Sequence, residues 1–442
     1  MNGLTSRNAP ALDLPARFMA LAIVCFTIGV ATSPWSLPLA QEGFSDFRLL
    51  AAVHLFTLGF IGSMLFGASY QLVPVALGAK LTSVRAGRLS FWFHLAGLGF
   101  FLTGLMTRWL PGLAIGGTLL GVGFLLYIGV ILTTIRHARR AELVAWHLRA
   151  GAVAAGIGMS IGVLLAFNTS NGMLGSRLLH VLGAHITVML VGWVGLTFTG
   201  VAYRLIGMFT LAEKHLIRPL AWAELGLVGG GAAILALTLL LDLPPVTGQA
   251  AGLAILAGFV AFMVQIIHLY HKRMRKKPLD IHTPFALLAA LAAIVASGCL
   301  AWGLLREVSP GSSLWTATGY LAILGVAATA IQGFFYKIAT FLTWLTRYAP
   351  LAGRQPVPKL EEMYHKRLAL SGFGLWTAGM AAGWLALLAD LPIVPLASVL
   401  MIAGTGCFLI NVLVIARHGV RGQWVQRITL TAWRPFQHPR TS

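Results

Sequence analysis

Apolar stretches of roughly 20 residues, the length that crosses the hydrocarbon core of a bilayer, recur along the whole of this chain. They fall at 15–37, 47–74, 89–106, 111–134, 149–168, 177–209, 219–241, 247–271, 283–304, 314–346, 368–389 and 393–416. No segment of soluble-domain composition separates them. In lipid, a segment of this length satisfies its backbone polar groups by coiling into a helix. The expected fold is therefore all-α and integral to a membrane, with about twelve transmembrane helices in one domain covering residues 1–442. Composition agrees. Charged residues make up 10% of the chain, against about a quarter in an ordinary soluble protein, and mean hydropathy is +0.83.

A net charge of +20 would suit a nucleic-acid binder, but its distribution argues against one. Lys and Arg gather in alternate loops, as the positive-inside rule expects. One such loop holds Lys80, Arg85 and Arg88, and the next holds Arg136, Arg139, Arg140 and Arg149. Lys272, Arg273, Arg275, Lys276 and Lys277 form a third, and Arg347, Arg354, Lys359, Lys366 and Arg367 a fourth. The intervening loops are nearly bare, with Glu42, Asp46, Arg48, Arg108, Arg177, Asp242, Arg306, Glu307 and Asp390. The expectation is a bacterial inner-membrane protein with both termini and a basic tail (417–442) in the cytoplasm. Its main partner is the lipid bilayer, whose anionic headgroups the basic loops would meet. Residues 1–15 lack the pattern of a removable signal. Cys25, Cys299 and Cys407 sit singly within apolar spans, so neither a disulfide framework nor a thiolate metal site is expected.

The chain also repeats itself. Gly59, Gly67 and Tyr70 in the second span recur 133 residues later as Gly192, Gly200 and Tyr203 in the sixth. After the same interval they recur in the tenth span as Gly325, Gly333 and Tyr336. A long polar residue follows each Tyr: Gln71, Arg204 and Lys337. A weaker echo follows in the next span, where Arg88, Arg218 and Arg367 stand six residues before His94, Glu224 and Phe373. A fixed period on three residue types implies three copies of a four-helix unit, at about 15–134, 149–271 and 283–416. Small residues let membrane helices approach closely, and Tyr with a basic neighbour anchors a helix end, so the motif itself has a structural explanation.

Ionisable side chains inside a span are costly and are functional candidates by default. Glu224 is the acidic residue most clearly inside one, a possible proton relay or a partner of Arg218. His54 lies about two turns into the second span from its outer end, and His180 and His185 reach a similar depth in the sixth. Imidazole is a common ligand of iron and copper, so these three form a candidate metal or cofactor site near the outer leaflet. Five residues separate His180 from His185, which puts them about 140° apart around a helix, so one of the two would face the bundle. His94 enters from the opposite side, and His268 and His271 suit an interface. His137, His147, His215, His282, His365, His418 and His438 read as loop or tail residues. No Walker A loop, HExxH or dinucleotide fingerprint is present, and no catalytic residue is assignable.

Twelve spans with internal four-helix symmetry and a His near the outer end of the second resemble subunit I of the haem-copper oxidases. The stretch HLFTLGFIGSMLFGASYQLVP, from His54 to Pro74, looks most like the second helix of the nitric oxide reductase large subunit. The resemblance implies haem bound by His54 and copper or non-haem iron bound by His180 or His185. It also implies respiratory or nitric-oxide-related redox work alongside other respiratory membrane subunits or an electron donor. Departures are plain: the family's seventh-helix His pair is replaced by LAWAELGL with Glu224, and residues 314–346 contain no His. Position 320, the counterpart of His54 two repeats on, is Tyr. A complete proton-pumping oxidase is therefore not expected. The alternatives are a metal or small-molecule transporter, with Met64, Met189 and Met208 as soft ligands, or a metal-free assembly partner on the same scaffold.

Overall fold

A computed structural model of the chain describes residues 12–138, 143–274 and 279–420. Arg139, Arg140, Arg275, Lys276, Lys277, His438 and the tail beyond 420 lie outside the described residues. Among the described residues there are helices and no strands. Twelve helices are long and apolar enough to cross a bilayer. They are α1 (Asp13–Ala31), α2 (Phe47–Leu77), α3 (Val84–Thr107), α4 (Leu110–Arg136), α5 (Leu143–Asn171) and α6 (Gly175–Thr210). The second half contributes α7 (Arg218–Leu241), α8 (Pro245–His271), α9 (His282–Leu305), α10 (Ser313–Arg347), α11 (Lys366–Ala389) and α12 (Val394–Gly419). The first span is shorter than its apolar run. The chain breaks at Thr32 and restarts as a separate helix, Ser33–Glu42, with Pro34 in its first turn, where a missing N–H costs nothing.

The three longest helices share an irregularity that periodicity did not announce. In each, an α-helical stretch (preceded in α6 by a 3-10 turn, Gly175–Arg177) widens into a π-helix and returns to α. The π segments are Leu55–Gly62 in α2, Thr187–Gly195 in α6 and Leu321–Ala328 in α10, so they recur at almost the repeat interval. Each contains the first repeat glycine. At the end of two π segments, a hydroxyl adds to the bond that its own backbone N–H makes to the same carbonyl. Ser63 donates to the carbonyl of Leu58, and Thr329 to that of Leu324.

The reason for the widening lies in the glycines. Residues eight apart on an α-helix lie about 80° apart around its axis. A π segment winds less per residue, which brings Gly59 and Gly67 closer to a single face. Both then lie against α1: a Cβ at Gly59 would stand 2.8 Å from Cys25 Sγ, and one at Gly67 2.9 Å from the carbonyl oxygen of Pro15. Gly192 and Gly200 meet Ala154 and His147 of α5 in the same way. Gly325 and Gly333 meet Ala292 and Phe285 of α9. Each long helix therefore lies on the helix that precedes it. The π segments of α2 and α6 both touch that of α10, and α12 closes back onto α1.

The remaining helices form close hairpins, α3 with α4, α7 with α8 and α11 with α12. Gly97 abuts the backbone at Gly116 and Leu120, Gly231 that at Ala251 and Ile255, and Gly379 that at Ala397 and Met401. The hairpin turns hold Arg108, Asp242 and Asp390 in the left-handed region, with φ of 55°, 51° and 49°. These contacts put His94 level with Val228 and Trp376, and Ser90 level with Glu224 and Gly372. The six-residue Arg echo, which aligned His94 with Glu224 and Phe373, is one turn out of register.

At the end of the bundle that carries the repeat tyrosines, Asp280 precedes α9 and accepts from Lys337 of α10 and from the Tyr364 hydroxyl. Burial alone would raise the Asp280 carboxyl, but the charge and hydrogen bond of Lys337 outweigh it and hold it below its ordinary value. A carboxyl depressed on folding contributes stability above its unfolded pKa and loses it as pH falls through the lower folded value. Resistance to unfolding in mild detergent should therefore fall below about pH 4 in the native protein. Asp280→Asn should be less stable at neutral pH and show less of that acid loss; identical profiles would remove the clasp from the account. In the hairpins, Gly97→Leu drives a side chain into the α4 backbone, whereas Gly99 faces open space. Thermal unfolding should show Gly97→Leu losing about 1–3 kcal/mol or more, with Gly99→Leu unchanged.

Candidate functional site

Two sets of histidine-bearing side chains stand out among the polar groups of the interior, one toward each end of the long helices. The first surrounds Glu224, in α7. Its side chain and that of His147 in α5 are fully buried, with His147 Nε2 2.7 Å from Glu224 Oε2. The Tyr203 hydroxyl in α6 donates to the same oxygen at 3.2 Å. Leu143 O lies 3.0 Å from His147 Nδ1. A carbonyl can only accept, so Nδ1 carries a proton, and a second proton is shared between Nε2 and the carboxylate. Glu224 Oε1 has no partner. Glu224 is thus bound to His147 and Tyr203 rather than to Arg218. His147, read from sequence as a loop residue, lies inside α5 because that helix begins at Leu143, six residues before the expected start.

Packing alone does not demand this cluster, as the corresponding places in the other repeats show. Gly67 meets Phe18 and Gly333 meets Phe285 where Gly200 meets His147. The Phe18 and Tyr70 rings lie 5.7 Å apart, those of His147 and Tyr203 5.6 Å, and those of Phe285 and Tyr336 6.2 Å. Tyr70 bonds Ser90 at 2.7 Å, the position level with Glu224. Tyr336 is met instead by Asn411. The fold therefore accepts neutral groups here, and the middle repeat alone places a titratable pair.

The second set lies at the opposite end. His54 is the last α-helical residue before the π segment of α2, and its Nδ1 lies 2.8 Å from the carbonyl of Leu50. In α6, His185 directs Nδ1 to the carbonyl of Gly158 in α5, also at 2.8 Å. Its ring fills the place that a side chain on Gly162 would take, 2.8 Å from Cε1. In both rings the carbonyl fixes the proton on Nδ1 and leaves Nε2 as a free lone pair. Both residues lie within the bundle and are partly buried. The Phe101 ring flanks His54 at 5.1 Å.

His180 does not join them. Its ring is about half exposed, and Nδ1 lies 3.2 Å from Asp242, which also binds Arg177. Among the described residues no three His, Cys, Asp or Glu side chains come together as a metal-binding group. Tyr320, the counterpart of His54 in α10, directs its hydroxyl to Met401 Sδ at 3.4 Å. Between the two sets, rings fill the space bounded by α2, α3, α4 and α6. Phe66 stacks on Tyr127 at 3.8 Å, Phe124 meets Trp193 at 5.1 Å, and buried His94 bonds Ser63 at 3.0 Å.

No protein-family model matches this chain, and no curated protein matches it by sequence.

Breaking a buried pair strands one partner without its hydrogen bond, which typically costs about 3–5 kcal/mol, whereas replacing both with neutral groups of suitable shape is far less damaging. His147→Phe and Glu224→Ser should each destabilise the protein by about that amount in detergent unfolding. The double variant reproduces the Phe18 and Ser90 pairing of the first repeat and should recover most of the loss. Additive losses in the double variant would show that the middle repeat has no such equivalence.

Proposed function

We propose that this multi-pass membrane protein holds a haem or a copper ion between His54 and His185 and acts as a redox protein of the haem-copper oxidase type. The observation that supports this is the common arrangement of the two imidazoles, each tied at Nδ1 to a backbone carbonyl with Nε2 left free. Such a hydrogen bond fixes the tautomer of a ligating histidine and raises its basicity. Two imidazoles with free Nε2 atoms would be suitable ligands for haem iron or for copper. They do not fit the paired haems and metal of a full oxidase, because α10 supplies Tyr320 where a further histidine would be required. Bound there, the group would supply one-electron chemistry in a respiratory or nitric-oxide-related role.

The chain's own contribution is positional. Gly162 of α5 makes room for His185 and Gly158 offers it a carbonyl, and the π segment turns His54 relative to the rest of α2. The rings of Phe66, Phe124 and Trp193 keep water from crossing between this end and the His147–Glu224 pair. On this reading the histidine end faces out of the cytoplasm of a bacterial inner membrane, and the tyrosine end, with both termini, faces in.

A reduced-minus-oxidised absorbance spectrum of the purified protein, with iron and copper analysis, tests the proposal. The expected result is a Soret band or a stoichiometric copper content, lost in His54→Ala and in His185→Ala and kept in His180→Ala. No Soret band and no metal, in protein that is folded, would overturn it. The shared proton of His147 and Glu224 favours a second reading, transport coupled to protons. Substrate uptake by proteoliposomes that Glu224→Gln abolishes, in protein without metal, would select that reading.

A further inference from the structure

Along the line where α2, α6 and α10 converge, the tyrosine half of the bundle lines a partly open cavity of about 130 Å³. Its walls follow the repeat. Ile61, Leu65, Ala68, Leu72 and Val75 of α2 line it, as do the residues 133 and 266 positions further on. Val201 and Phe334, for example, are the counterparts of Ala68. From position 61 to position 75 the helix rises about 21 Å. So small a volume over such a length describes a narrow slot rather than a chamber. One leaflet of a bilayer offers about 15 Å of hydrocarbon, so an apolar slot of this length suits an extended alkyl chain.

One charged side chain borders the slot. Arg204, the residue after Tyr203, lines it and bonds Glu213 at 3.1 Å. Its counterpart Lys337 is already held by Asp280. Glu213 belongs to a single 3-10 turn between α6 and α7 and is about half exposed. A carboxylate of the chain itself thus occupies the guanidinium at the mouth. The geometry points to a binding site for a fatty-acid anion, with its chain along the axis between α2, α6 and α10 and its carboxylate exchanging with Glu213 on Arg204. Guanidinium and carboxylate form charge-assisted, bidentate pairs, and the basic loops at this end favour an anion. This site is separate from the His54–His185 pair and stands whether or not a metal is bound there.

Photolabelling of the full-length protein in nanodiscs with a diazirine-bearing palmitate tests it. The expected result is crosslinks to the 61–76, 194–209 and 327–342 segments, competed by unlabelled palmitate. Ala68→Trp, which fills the slot, should reduce them about tenfold, a change of roughly 1.4 kcal/mol. Arg204→Gln should weaken competition by the free acid while leaving competition by its methyl ester unchanged. A native-like thermal transition in both variants separates loss of binding from loss of fold, and Val201→Phe serves if Ala68→Trp does not fold. Crosslinks confined to lipid-facing residues such as Leu237 and Leu253, indifferent to these substitutions, would overturn the proposal. So would equal competition by a two-chain phospholipid.

Discussion

The close approach of each long helix to the helix before it is the constraint on which the rest of this architecture depends. In a bilayer no hydrophobic effect drives helix against helix, so contact must come from shape. Gly59 and Gly67, with their counterparts in α6 and α10, remove the side chains that would hold the helices apart. They act on one surface only because a π segment reduces the winding between them. The same segment fixes where His54, Thr187 and Tyr320 point. Close packing and the presentation of the candidate ligands are thus two consequences of one backbone irregularity, and π segments are often found at functional sites.

Three copies of one unit give the molecule an internal control. Where the copies agree, as at the glycines and at the left-handed turns of Arg108, Asp242 and Asp390, the residues serve the fold. Where they differ, the difference needs another reason. Phe18 and Phe285 fill their places with rings, whereas His147 brings a titratable group against Glu224. His54 corresponds to Thr187 and Tyr320, and His185 stands two residues from the repeat position. Charged groups in lipid are retained where they do something, and both sets fall in or beside the middle repeat.

Much of the fold was legible because span length and hydropathy are direct physical requirements of the bilayer. Glu224 was legible for the same reason, being an acid where acids are costly. His147 was not, since Arg149 resembles the end of a span and conceals two further turns of helix. The π segments left no trace because an all-apolar stretch has no face by which to read its period. The Arg echo misled because Arg88, Arg218 and Arg367 sit near helix ends, where position follows the loop rather than the core. His180 and His185 share a helix and nearly a depth, and only the fold shows that one meets Asp242 at the rim while the other turns inward. The resemblance to oxidase subunit I drew attention to His54, but the proposed partner is His185 rather than a residue of α10.

The central claim is that His54 and His185 together hold one redox-active group. Electron paramagnetic resonance of the oxidised protein, prepared with ¹⁵N-labelled histidine, addresses it directly. The account predicts a haem or copper signal with coupling to two imidazole nitrogens, of which one disappears in His185→Gly and returns when ¹⁵N-labelled imidazole is added. A metal signal without histidine coupling, or one unchanged in His185→Gly, would contradict it.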